Sequence, residues 1–467
     1  MSRRRAWCLA APHGGLGGAR PMLGAMHDHR ALVAELIGRW PEHRVAPGTE
    51  RVEAVLDLMG RPQEAAPLIH LTGTNGKGST AIMIDALLRA QGLRTGRFSS
   101  PHLVDPAERI CLDGAPLSPE RFDGTWAMVE PYVRLVDERL LGGVPLTFFE
   151  VLTVMAYTAF ADAPVDVLVV EVGLGGTWDA TNVAAAQVAV VMPIALDHTH
   201  LLGGTTAEIA AEKAGIIKPD CFAVLAGQEP QAAAVLLDRC AVVGAVPLRE
   251  GVDFAVLDRR LAVGGQVLRL STAGGPVGDL RLPLHGAAMA QNAGCAVAAV
   301  EAFGGLRGLD PSVIEEGLGA VVAPARTELV HAGPPIVVDT CHNPAAVAAT
   351  LATLDEAFAF APQIAVWAAM VDKDVDGALD LLEPACAHVV ATQAASLRAL
   401  PATLLGEKAR ARFGADRVSV VPEVADALDR AVTLADLAGP TAGVLVGGSV
   451  VLAGQARHLL APDKPLA

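Results

Sequence analysis

The sequence predicts an α/β protein of two domains, each built on a largely parallel sheet, and three observations support this prediction. Short apolar runs alternate with helical periodicity through the first half of the chain, which is typical of parallel strands covered by helices on both faces. The same alternation begins again after Pro324. The length of 467 residues is sufficient for two or three domains. We therefore expect a disordered extension over residues 1–28, a first domain over 29–323 and a smaller second domain over 324–467.

The apolar runs also predict the individual elements. Predicted strands of the first domain are Leu68 to Thr72, Val165 to Val172, Val188 to Ile194 and Phe222 to Ala226. Predicted helices include Phe148 to Ala161 and the alanine-rich segment Gly286 to Phe303. Residues 251 to 284 have short alternating segments between glycine-rich turns, which predicts a small antiparallel sheet. Predicted strands of the second domain are Ile336 to Asp339, Ile364 to Ala369, His388 to Thr392, Val418 to Val420 and Gly443 to Val446.

Composition and charge argue against several classes of partner. The formal net charge is -15 and aromatic residues make up 4% of the chain, which disfavours nucleic-acid binding through phosphate contacts or base stacking. No apolar run reaches the length of a membrane span. The seven cysteines are scattered and never spaced as Cys-x-x-Cys, so the sequence predicts neither disulfides nor a zinc site and fits a reducing cytoplasm. We expect a monomer that acts on small molecules.

A glycine-rich turn between a predicted strand and a predicted helix carries the clearest functional signal. The run from Thr72 to Ser79 reads Thr-Gly-Thr-Asn-Gly-Lys-Gly-Ser. Without side chains on the glycines, successive backbone N–H groups can converge on phosphate oxygens at the positive end of the helix. Lys77 would reach the terminal phosphates, and the Ser79 hydroxyl would bind phosphate or magnesium or cap the helix. The alternative is a glycine-rich turn with a solvated lysine, since the spacing is shorter than in the general P-loop pattern.

Polar residues follow two further predicted strands of the first domain. Glu171 lies near the end of one apolar run, where open α/β sheets bind ligands and where a carboxylate is well placed to hold magnesium. His198 follows the next strand, with Asp197 and His200 as candidates to orient it. The alternatives are an ion-paired glutamate and a structural histidine. Lys213 lies in a half-apolar helical segment and, by itself, indicates only a surface lysine.

The second domain repeats this arrangement at the end of its first predicted strand. Asn343 and Pro344 fit a helix N-cap and the first helical position, which explains both residues structurally. Asp339 and His342 have no such explanation and are candidate site residues. The segment from Asp372 to Asp374 is a charged loop by default and a phosphate or carboxylate contact if it faces the cleft between the domains.

Together these motifs resemble those of the folylpolyglutamate synthase and dihydrofolate synthase family, the folate branch of the Mur ligases. The resemblance runs from about residue 30 to the C-terminus. The matching segments are Thr72 to Ser79, Ser99 to His102 with Glu108 and Arg109, Leu146 to Glu150, Glu171 to Gly176 with Asp179 to Asn182, Leu196 to His198, Glu212 to Ile216, Asp339 with His342 to Pro344, and Asp372 to Asp374. The resemblance implies a Mur-ligase-like fold, in which a parallel-sheet P-loop ATPase domain is joined to a smaller Rossmann-like C-terminal domain.

The resemblance also implies an activity at the cleft between these domains. ATP would phosphorylate the carboxylate of dihydropteroate or of a folate, and the amine of L-glutamate would then displace phosphate from the acyl phosphate. ADP and an amide remain. The expected cofactors are ATP and two magnesium ions, because in-line phosphoryl transfer requires neutralisation of the phosphate charge. The expected partners are L-glutamate and the pteroate or folate acceptor.

The family's site residues transfer position by position onto this sequence. Those expected to bind ATP are Thr74, Asn75, Gly76, Lys77, Gly78, Ser79, Asn292, Arg326 and Asp339. Those expected to bind magnesium are Ser100, Glu171 and His198. Those expected to act in catalysis are Lys77, Lys213 and His342, with Lys213 carbamylated so that its new carboxylate contacts the second magnesium ion. The acceptor pocket is expected to include Thr147, Phe148, Phe149, Glu150, Trp178, Asp179 and Ala180.

One departure from the family pattern bears on the substrate. The family usually has arginine after the Gly-Gly pair that follows Glu171, whereas this chain has Thr177. Loss of a charge-assisted bond of that kind would weaken binding by about 1.5–3 kcal/mol. Two alternatives therefore stay open. One is a pathway-specific paralogue that ligates an amino acid to a different carboxylic acid by the same chemistry, and the other is a non-catalytic nucleotide-binding protein.

Overall fold

The computed structural model describes residues 29–39, 46–462 and 464, so the predicted extension over residues 1–28 lies outside the described residues. The helices are α1 His29–Arg39, α2 Glu50–Leu58, α3 Lys77–Ala90, α4 Pro119–Asp137, α5 Phe148–Asp162, α6 Thr199–Leu202, α7 Thr206–Lys213, α8 Pro230–Val243, α9 Ala287–Phe303, α10 Pro311–Gly319, α11 Pro344–Ala357, α12 Val375–Ala385, α13 Ala402–Phe413, α14 Val424–Ala438 and α15 Val450–Leu460. The strands are β1 Leu68–Thr72, β2 Thr95–Phe98, β3 Ile110–Leu112, β4 Ala115–Pro116, β5 Val167–Glu171, β6 Val188–Val191, β7 Phe222–Leu225, β8 Val246–Arg249, β9 Ala255–Ala262, β10 Gly265–Thr272, β11 Gly275–Leu282, β12 Glu328–Ala332, β13 Pro335–Val338, β14 Gln363–Trp367, β15 His388–Ala391, β16 Val418–Val420 and β17 Gly443–Gly447.

The first sheet has eight strands in the order β4-β3-β2-β5-β1-β6-β7-β8. The strands from β2 to β8 in this order pair in parallel, and β3 and β4 add an antiparallel edge. Leu71 of β1 pairs with Glu171 of β5, and Thr72 pairs with Val191 of β6. The loops that follow β1, β5 and β6 therefore leave the sheet at the same carboxyl edge, where open α/β sheets bind ligands.

Hydrophobic cores pack on both faces of this sheet. The core around α3, α9 and α10 includes Ile69 and Leu71 of β1. The core around α2, α4 and α5 includes Leu68 of the same strand. Successive side chains of a strand point to opposite faces, so β1 contributes to both cores. Central strands buried in this way hold the loop after β1 on a rigid support.

The second sheet has six strands in the order β12-β13-β17-β14-β15-β16, and only the edge strand β12 is antiparallel. α11, α12 and α13 cover one face, and α14 and α15 cover the other. The predicted antiparallel patch forms a third, three-stranded sheet in the order β11-β10-β9. The two large sheets are separated in sequence by the segment between α10 and β12. The division at residues 323 and 324 falls in that segment and stays a prediction.

None of the helices in the described part of the chain combines the length and the apolar character needed to cross a bilayer.

Candidate active site

The P-loop joins the end of β1 to α3. Gly73 and Gly76 have φ angles of +143° and +89°, which favour glycine. A Cβ on Gly76 would lie 2.6 Å from Asn292 Oδ1, so a side chain does not fit there. Gly76 is the N-cap of α3, and no side chain caps this helix. The prediction that Ser79 caps it is therefore wrong, and the first-turn N–H groups remain available to an anion.

Lys77, the first residue of α3, bends back over the P-loop. Its Nζ donates to the carbonyl oxygens of Gly73 at 3.0 Å and Thr74 at 3.4 Å. Among the described residues it forms no ion pair. Carbonyl oxygens are weaker partners for an ammonium than phosphate oxygens, so this side chain can be drawn away by a nucleotide.

Lys213, at the end of α7, reaches the same loop from the other side. Its side chain is buried, and Nζ donates to the Gly73 carbonyl oxygen at 3.0 Å. Burial, reinforced by the charge of Lys77, lowers the pKa of Lys213 to about 7. An amine with this pKa is largely neutral just above neutrality and is then a nucleophile.

Glu171 lies at the carboxyl end of β5. Its carboxylate is buried and accepts a hydrogen bond from the Ser100 N–H at 3.1 Å. Burial raises the pKa of Glu171, although the charges of Lys77 and Arg326 oppose this shift. Within the described residues no cation forms an ion pair with this carboxylate. A buried carboxylate without an ion pair fits a position that a cation completes.

Polar side chains bridge the cleft between the carboxyl edges of the two large sheets. We call this group the latch; it consists of Asn75, Asp197, His198, His342, Asn343 and Lys373. Lys373 Nζ donates to Asp197 Oδ1 at 2.8 Å and lies 3.2 Å from His198 Nε2. Asn343 Nδ2 donates to Asn75 Oδ1 at 3.0 Å and to Asp197 Oδ2 at 3.3 Å. The latch therefore joins residues that lie more than a hundred positions apart in the chain.

Electrostatics decide the state of the latch. Burial raises the pKa of Asp197, but the interaction with His342 and the charge of Lys373 outweigh burial and hold it well below its usual value. Burial and the charge of Lys373 lower the pKa of His198 to about 4. The His198 imidazole is thus neutral, which is the form that binds metals. Its Nε2 faces the Lys373 ammonium, so metal binding there requires Lys373 to move.

A cavity of about 430 Å³ extends from the P-loop to an apolar end, and its size is typical of small-molecule sites. Phe149, Leu174 and Trp178 line the apolar end. Met370 and Val450 face it from the other side of the cleft. The cavity therefore combines a phosphate-binding loop with a surface suited to an aromatic ring system.

Arg51 of α2 neutralises Glu150 at the apolar end. The Arg51 guanidinium is 1% exposed. Its Nη2 donates to Glu150 Oε1 at 2.7 Å, and its Nε donates to the same atom at 3.0 Å. Nη2 also donates to the Ala46 carbonyl oxygen at 2.5 Å, and Thr147 N donates to Glu150 Oε2 at 2.7 Å. Glu150 is therefore fully paired, and it shapes the cavity wall.

Asp179 is held by a similar set of internal bonds. Thr181 Oγ1 donates to Asp179 Oδ1 at 2.5 Å, and Leu174 N donates to Oδ2 at 2.9 Å. His70 Nε2 lies 2.8 Å from Thr181 Oγ1, and burial lowers the pKa of His70 to about 3. Because the threonine hydrogen points to Asp179, the neutral histidine donates through Nε2. A chain of two hydrogen bonds, from His70 to Thr181 and from Thr181 to Asp179, therefore holds the Asp179 carboxylate in place; we call this chain the relay.

Known proteins identify the family of this chain. Residues 325–450 match the family model described as "Mur ligase, glutamate ligase domain". The dihydrofolate synthase/folylpolyglutamate synthase of Mycobacterium tuberculosis is 46% identical over 449 residues, which cover 91% of this chain and 92% of that protein. The chain belongs to the folylpolyglutamate synthase and dihydrofolate synthase family.

Solved structures of this family share the fold. The M. tuberculosis folylpolyglutamate synthase complexed with ADP matches with a TM-score of 0.90 and 46% identity, over 94% of this chain and 99% of that chain. The E. coli FolC in complex with DHPP and ADP matches with a TM-score of 0.81 and 30% identity, over 94% and 98% of the two chains. The Mur-ligase-like α/β fold predicted from the sequence is confirmed.

Most of the residues expected from the family motifs meet around the P-loop. Those that line the large cavity are Thr74, Lys77, Ser100, Thr147, Phe149, Glu150, Trp178, Asp179, Ala180, His198, Lys213 and His342. Gly78, Glu171, Arg326 and again Ser100 line a smaller cavity beside the P-loop. Asn75 belongs to the latch, and Gly76 contacts Asn292. Their roles in binding and catalysis stay predictions.

Phe148 and Asp339, which were expected in the site, do not line either of the two cavities described. Phe148 is buried in the core around α4 and α5, because the turn of α5 directs it away from the cavity that Phe149 faces. The prediction that Phe148 lines the acceptor pocket is therefore corrected. The Asp339 carboxylate accepts hydrogen bonds from Thr327 N at 2.7 Å and Cys341 N at 2.7 Å, and its expected contact with ATP stays a prediction.

The described residues do not hold three His, Cys, Asp or Glu side chains grouped as a metal site. The expected magnesium ligands Glu171 and His198 border different cavities, and Ser100 borders both. Thr177 lies outside the cavity wall, where its N–H and hydroxyl both donate to the Glu212 carbonyl oxygen, at 3.0 and 2.9 Å. Threonine at this position therefore leaves the wall of the acceptor pocket intact.

Two arginines that line the large cavity, Arg109 and Arg398, were assigned no function from the sequence. Arg109 Nε donates to His102 Nδ1 at 2.9 Å, and Arg398 Nη2 donates to Asp372 Oδ2 at 2.6 Å. Arg109 lies in one of the matched motifs, so the sequence could have identified it as a candidate site residue. Arg398 follows an irregular loop and only the fold brings it to the cavity.

Proposed function

We propose that this protein is an ATP-dependent ligase that adds L-glutamate to dihydropteroate, to folates or to both, and forms ADP and phosphate. The observation that carries this proposal is the continuous cavity between the P-loop and an aromatic-lined end. Relatives named as dihydrofolate synthase/folylpolyglutamate synthase, and a family structure complexed with ADP, support it. We propose that it acts as a monomer with domains at 29–323 and 324–467.

The P-loop side would carry out the phosphoryl transfer. A carboxylate oxygen of the acceptor attacks the terminal phosphorus of ATP, a new P–O bond forms, and the bond to the ADP oxygen breaks. The first-turn N–H groups of α3 would hold the phosphates that remain on ADP. Lys77, drawn away from the carbonyl oxygens of Gly73 and Thr74, would stabilise charge on the phosphoryl group in transit.

Glu171, Ser100 and His198 would hold magnesium. The ion would supply neutralisation of phosphate charge during the transfer. Glu171 fits this role because it is a buried carboxylate with no ion pair in the described part of the chain. His198 fits it as a neutral imidazole once Lys373 leaves its Nε2.

Amide formation would follow at the same place. The glutamate amine attacks the carbonyl carbon of the acyl phosphate, a C–N bond forms, and the C–O bond to phosphate breaks as the amine loses a proton. His342 Nδ1 donates to the Thr340 carbonyl oxygen at 3.0 Å, so Nε2, which lies 3.7 Å from Asp197 Oδ2, is the nitrogen placed for proton transfer. His342 faces the cavity and would take the amine proton through Nε2.

Lys213 would be carbamylated. Its neutral amine attacks carbon dioxide, an N–C bond forms, and loss of a proton leaves an anionic carbamate. The pKa of about 7 that burial imposes on Lys213 supports this reaction near neutral pH. The resulting oxygens would suit a second magnesium ion.

An assay of ADP release tests the proposed function. The protein is supplied with ATP, magnesium and either dihydropteroate or tetrahydrofolate, with and without L-glutamate. We expect glutamate-dependent ADP release with at least one acceptor. Turnover with neither acceptor would exclude the folate assignment and leave a ligase for another carboxylic acid, which the departure at Thr177 motivates.

A further inference from the structure

Arg97 is a buried cation without a carboxylate partner in the described part of the chain. It lies in β2 and is 2% exposed. Its Nη1 donates to Ser99 Oγ at 3.3 Å, its Nη2 lies 3.2 Å from Cys111 Sγ, and its Nε has no hydrogen-bond partner. Burial raises the pKa of the Cys111 thiol, which therefore supplies no negative charge. A buried charge that lacks an ion pair is costly to the fold and indicates a missing anion.

The Arg97 side chain borders the smaller cavity beside the P-loop, whose volume is about 70 Å³. A single buried water needs only roughly 10–15 Å³, so a larger occupant fits. Gly78 and Ile82 of α3 form one wall. Arg326 forms another and, within the described residues, makes no hydrogen bond and no ion pair. Two guanidinium groups with unused donors therefore face one small space at the start of the P-loop helix.

The two carboxylates at this cavity form no ion pair with these arginines among the described residues, although burial raises the pKa of Glu171 and the charges of Arg326 and Arg97 both oppose that rise. Glu108 accepts three backbone hydrogen bonds, from the N–H groups of residues 103 to 105, at 2.8, 2.8 and 2.6 Å. Glu171 accepts a hydrogen bond from Ser100 N and is the magnesium ligand proposed above. Neither forms an ion pair with Arg97 in the described structure. The donors of the arginines thus remain available to an anion from outside the chain.

We propose that Arg97 and Arg326 together bind a phosphoryl group at this cavity. Arg97 is then a second guanidinium for the terminal phosphate of the nucleotide, or for the phosphate that the reaction releases. A planar guanidinium donates paired hydrogen bonds to phosphate oxygens. Arg326 lies close to the P-loop, because a Cβ on Gly78 would lie 3.8 Å from Arg326 Nη2 and 3.5 Å from Glu171 Oε2, the carboxylate proposed above to hold magnesium. This proposal rests on the proposed function, since it assigns a place to the group that is transferred.

Binding measurements on full-length protein test the role of Arg97. Wild type, Arg97→Met and Arg97→Lys are titrated with ADP and with a non-hydrolysable ATP analogue, both with magnesium. Inorganic phosphate is then titrated into the ADP-bound proteins. We expect Arg97→Met to weaken the analogue or phosphate by about ten- to a hundredfold and ADP by less than about twofold. Arg97→Lys should recover part of the loss, because it keeps the charge.

The two phosphate sources give different results. A loss confined to the analogue assigns Arg97 to the terminal phosphate of ATP, and a loss confined to phosphate assigns it to the released product. Equal weakening of ADP, analogue and phosphate would overturn the proposal and leave Arg97 as a structural residue, and so would unchanged binding of all three. Arg94→Met is the matched control, because Arg94 is exposed and pairs with Asp113 near the start of the same strand.

A substitute variant and the binding of ADP to wild type distinguish failure of this proposal from failure of the proposed function. If Arg97→Met does not fold, the polar variant Arg97→Gln, which also removes the charge, takes its place, and phosphate is titrated into the ADP-bound wild type. Failure of phosphate to bind wild type, together with unchanged analogue binding by Arg97→Gln, would overturn the proposal. Failure of wild type to bind ADP at all would instead overturn the proposed function.

Discussion

The two ends of the large cavity balance their charges in different ways. At the apolar end, Glu150 is paired with Arg51, and Asp179 is held by Thr181. At the P-loop end, Lys77 contacts only backbone carbonyls. Glu171 on that side likewise has no ion pair among the described residues. The carboxylates of the apolar end thus accept their hydrogen bonds from groups of this chain, whereas Lys77 and Glu171 at the P-loop end are placed to interact with charged ligands.

Removal of Arg51 should give the largest effect at the apolar end. Arg51→Met leaves the Glu150 carboxylate buried and unpaired, so we expect a loss of about 3–5 kcal/mol in the free energy of unfolding. Denaturant unfolding measures it. Arg61→Met is the control, because Arg61 forms exposed ion pairs within its own segment, and its melting temperature should match wild type. Wild-type stability of Arg51→Met would contradict the account of this end.

Removal of Lys77 should act on turnover and leave stability unchanged. Among the described residues Lys77 donates only to the carbonyls of Gly73 and Thr74, so Lys77→Met loses little on folding. The ADP-release assay should show kcat reduced by about 10²–10³-fold, the usual cost of removing a preorganised charge at a reacting group. Lys408→Met, on the exposed surface of α13, is the control. Full activity of Lys77→Met would show that phosphate is bound elsewhere.

Breaking the relay of hydrogen bonds that holds Asp179 in the cavity wall should have a smaller effect on stability and turnover. Thr181→Val removes the hydroxyl between His70 and Asp179, which should cost about 1–3 kcal/mol of stability. The KM for the acceptor should rise while the affinity for ADP stays the same. Thr158→Val is the control, since its hydroxyl donates within its own helix to the Val154 carbonyl oxygen. Weaker ADP binding by Thr181→Val would mean that the two ends are not independent.

The smallest effect is a pH dependence at Lys213. Its pKa is lowered from 10.5 to about 7, so the neutral amine prevails above this pH and the protonated amine below it. Carbamate formation should therefore increase as the pH rises through about 7. Carbon-13 NMR with labelled bicarbonate measures it, and Lys213→Met should lack the signal. No carbamate signal from about pH 6 to 9 would exclude this modification.

Sequence patterns located the P-loop end better than the apolar end. The lysine of the P-loop and Glu171 follow buried strands, and parallel strands bring their carboxyl ends to one edge, so both could be predicted. The prediction that Ser79 caps α3 failed because Gly76, with a positive φ angle, occupies the N-cap position. Phe148 was misplaced because a helix turns adjacent residues apart.

Some members of the site left only a weak signal or none. Arg51 and Arg97 are charged residues inside apolar patterns, which marks them as unusual without naming a partner. The contact between Lys373 and Asp197 joins residues 176 positions apart. Nothing local specifies such a contact, because it depends on how the two sheets approach each other across the cleft.

If magnesium binds at His198 as proposed, the latch makes binding of the ion an exchange of one cation for another. The Lys373 ammonium lies at His198 Nε2 and at Asp197, where a metal ion on His198 would also have to approach. Lys373 must move away for a metal ion to bind His198, and it can return to Asp197 when the ion leaves. Ionic strength weakens the protein's own pair and the incoming ion's attraction together. The affinity for the ion should therefore depend only weakly on salt.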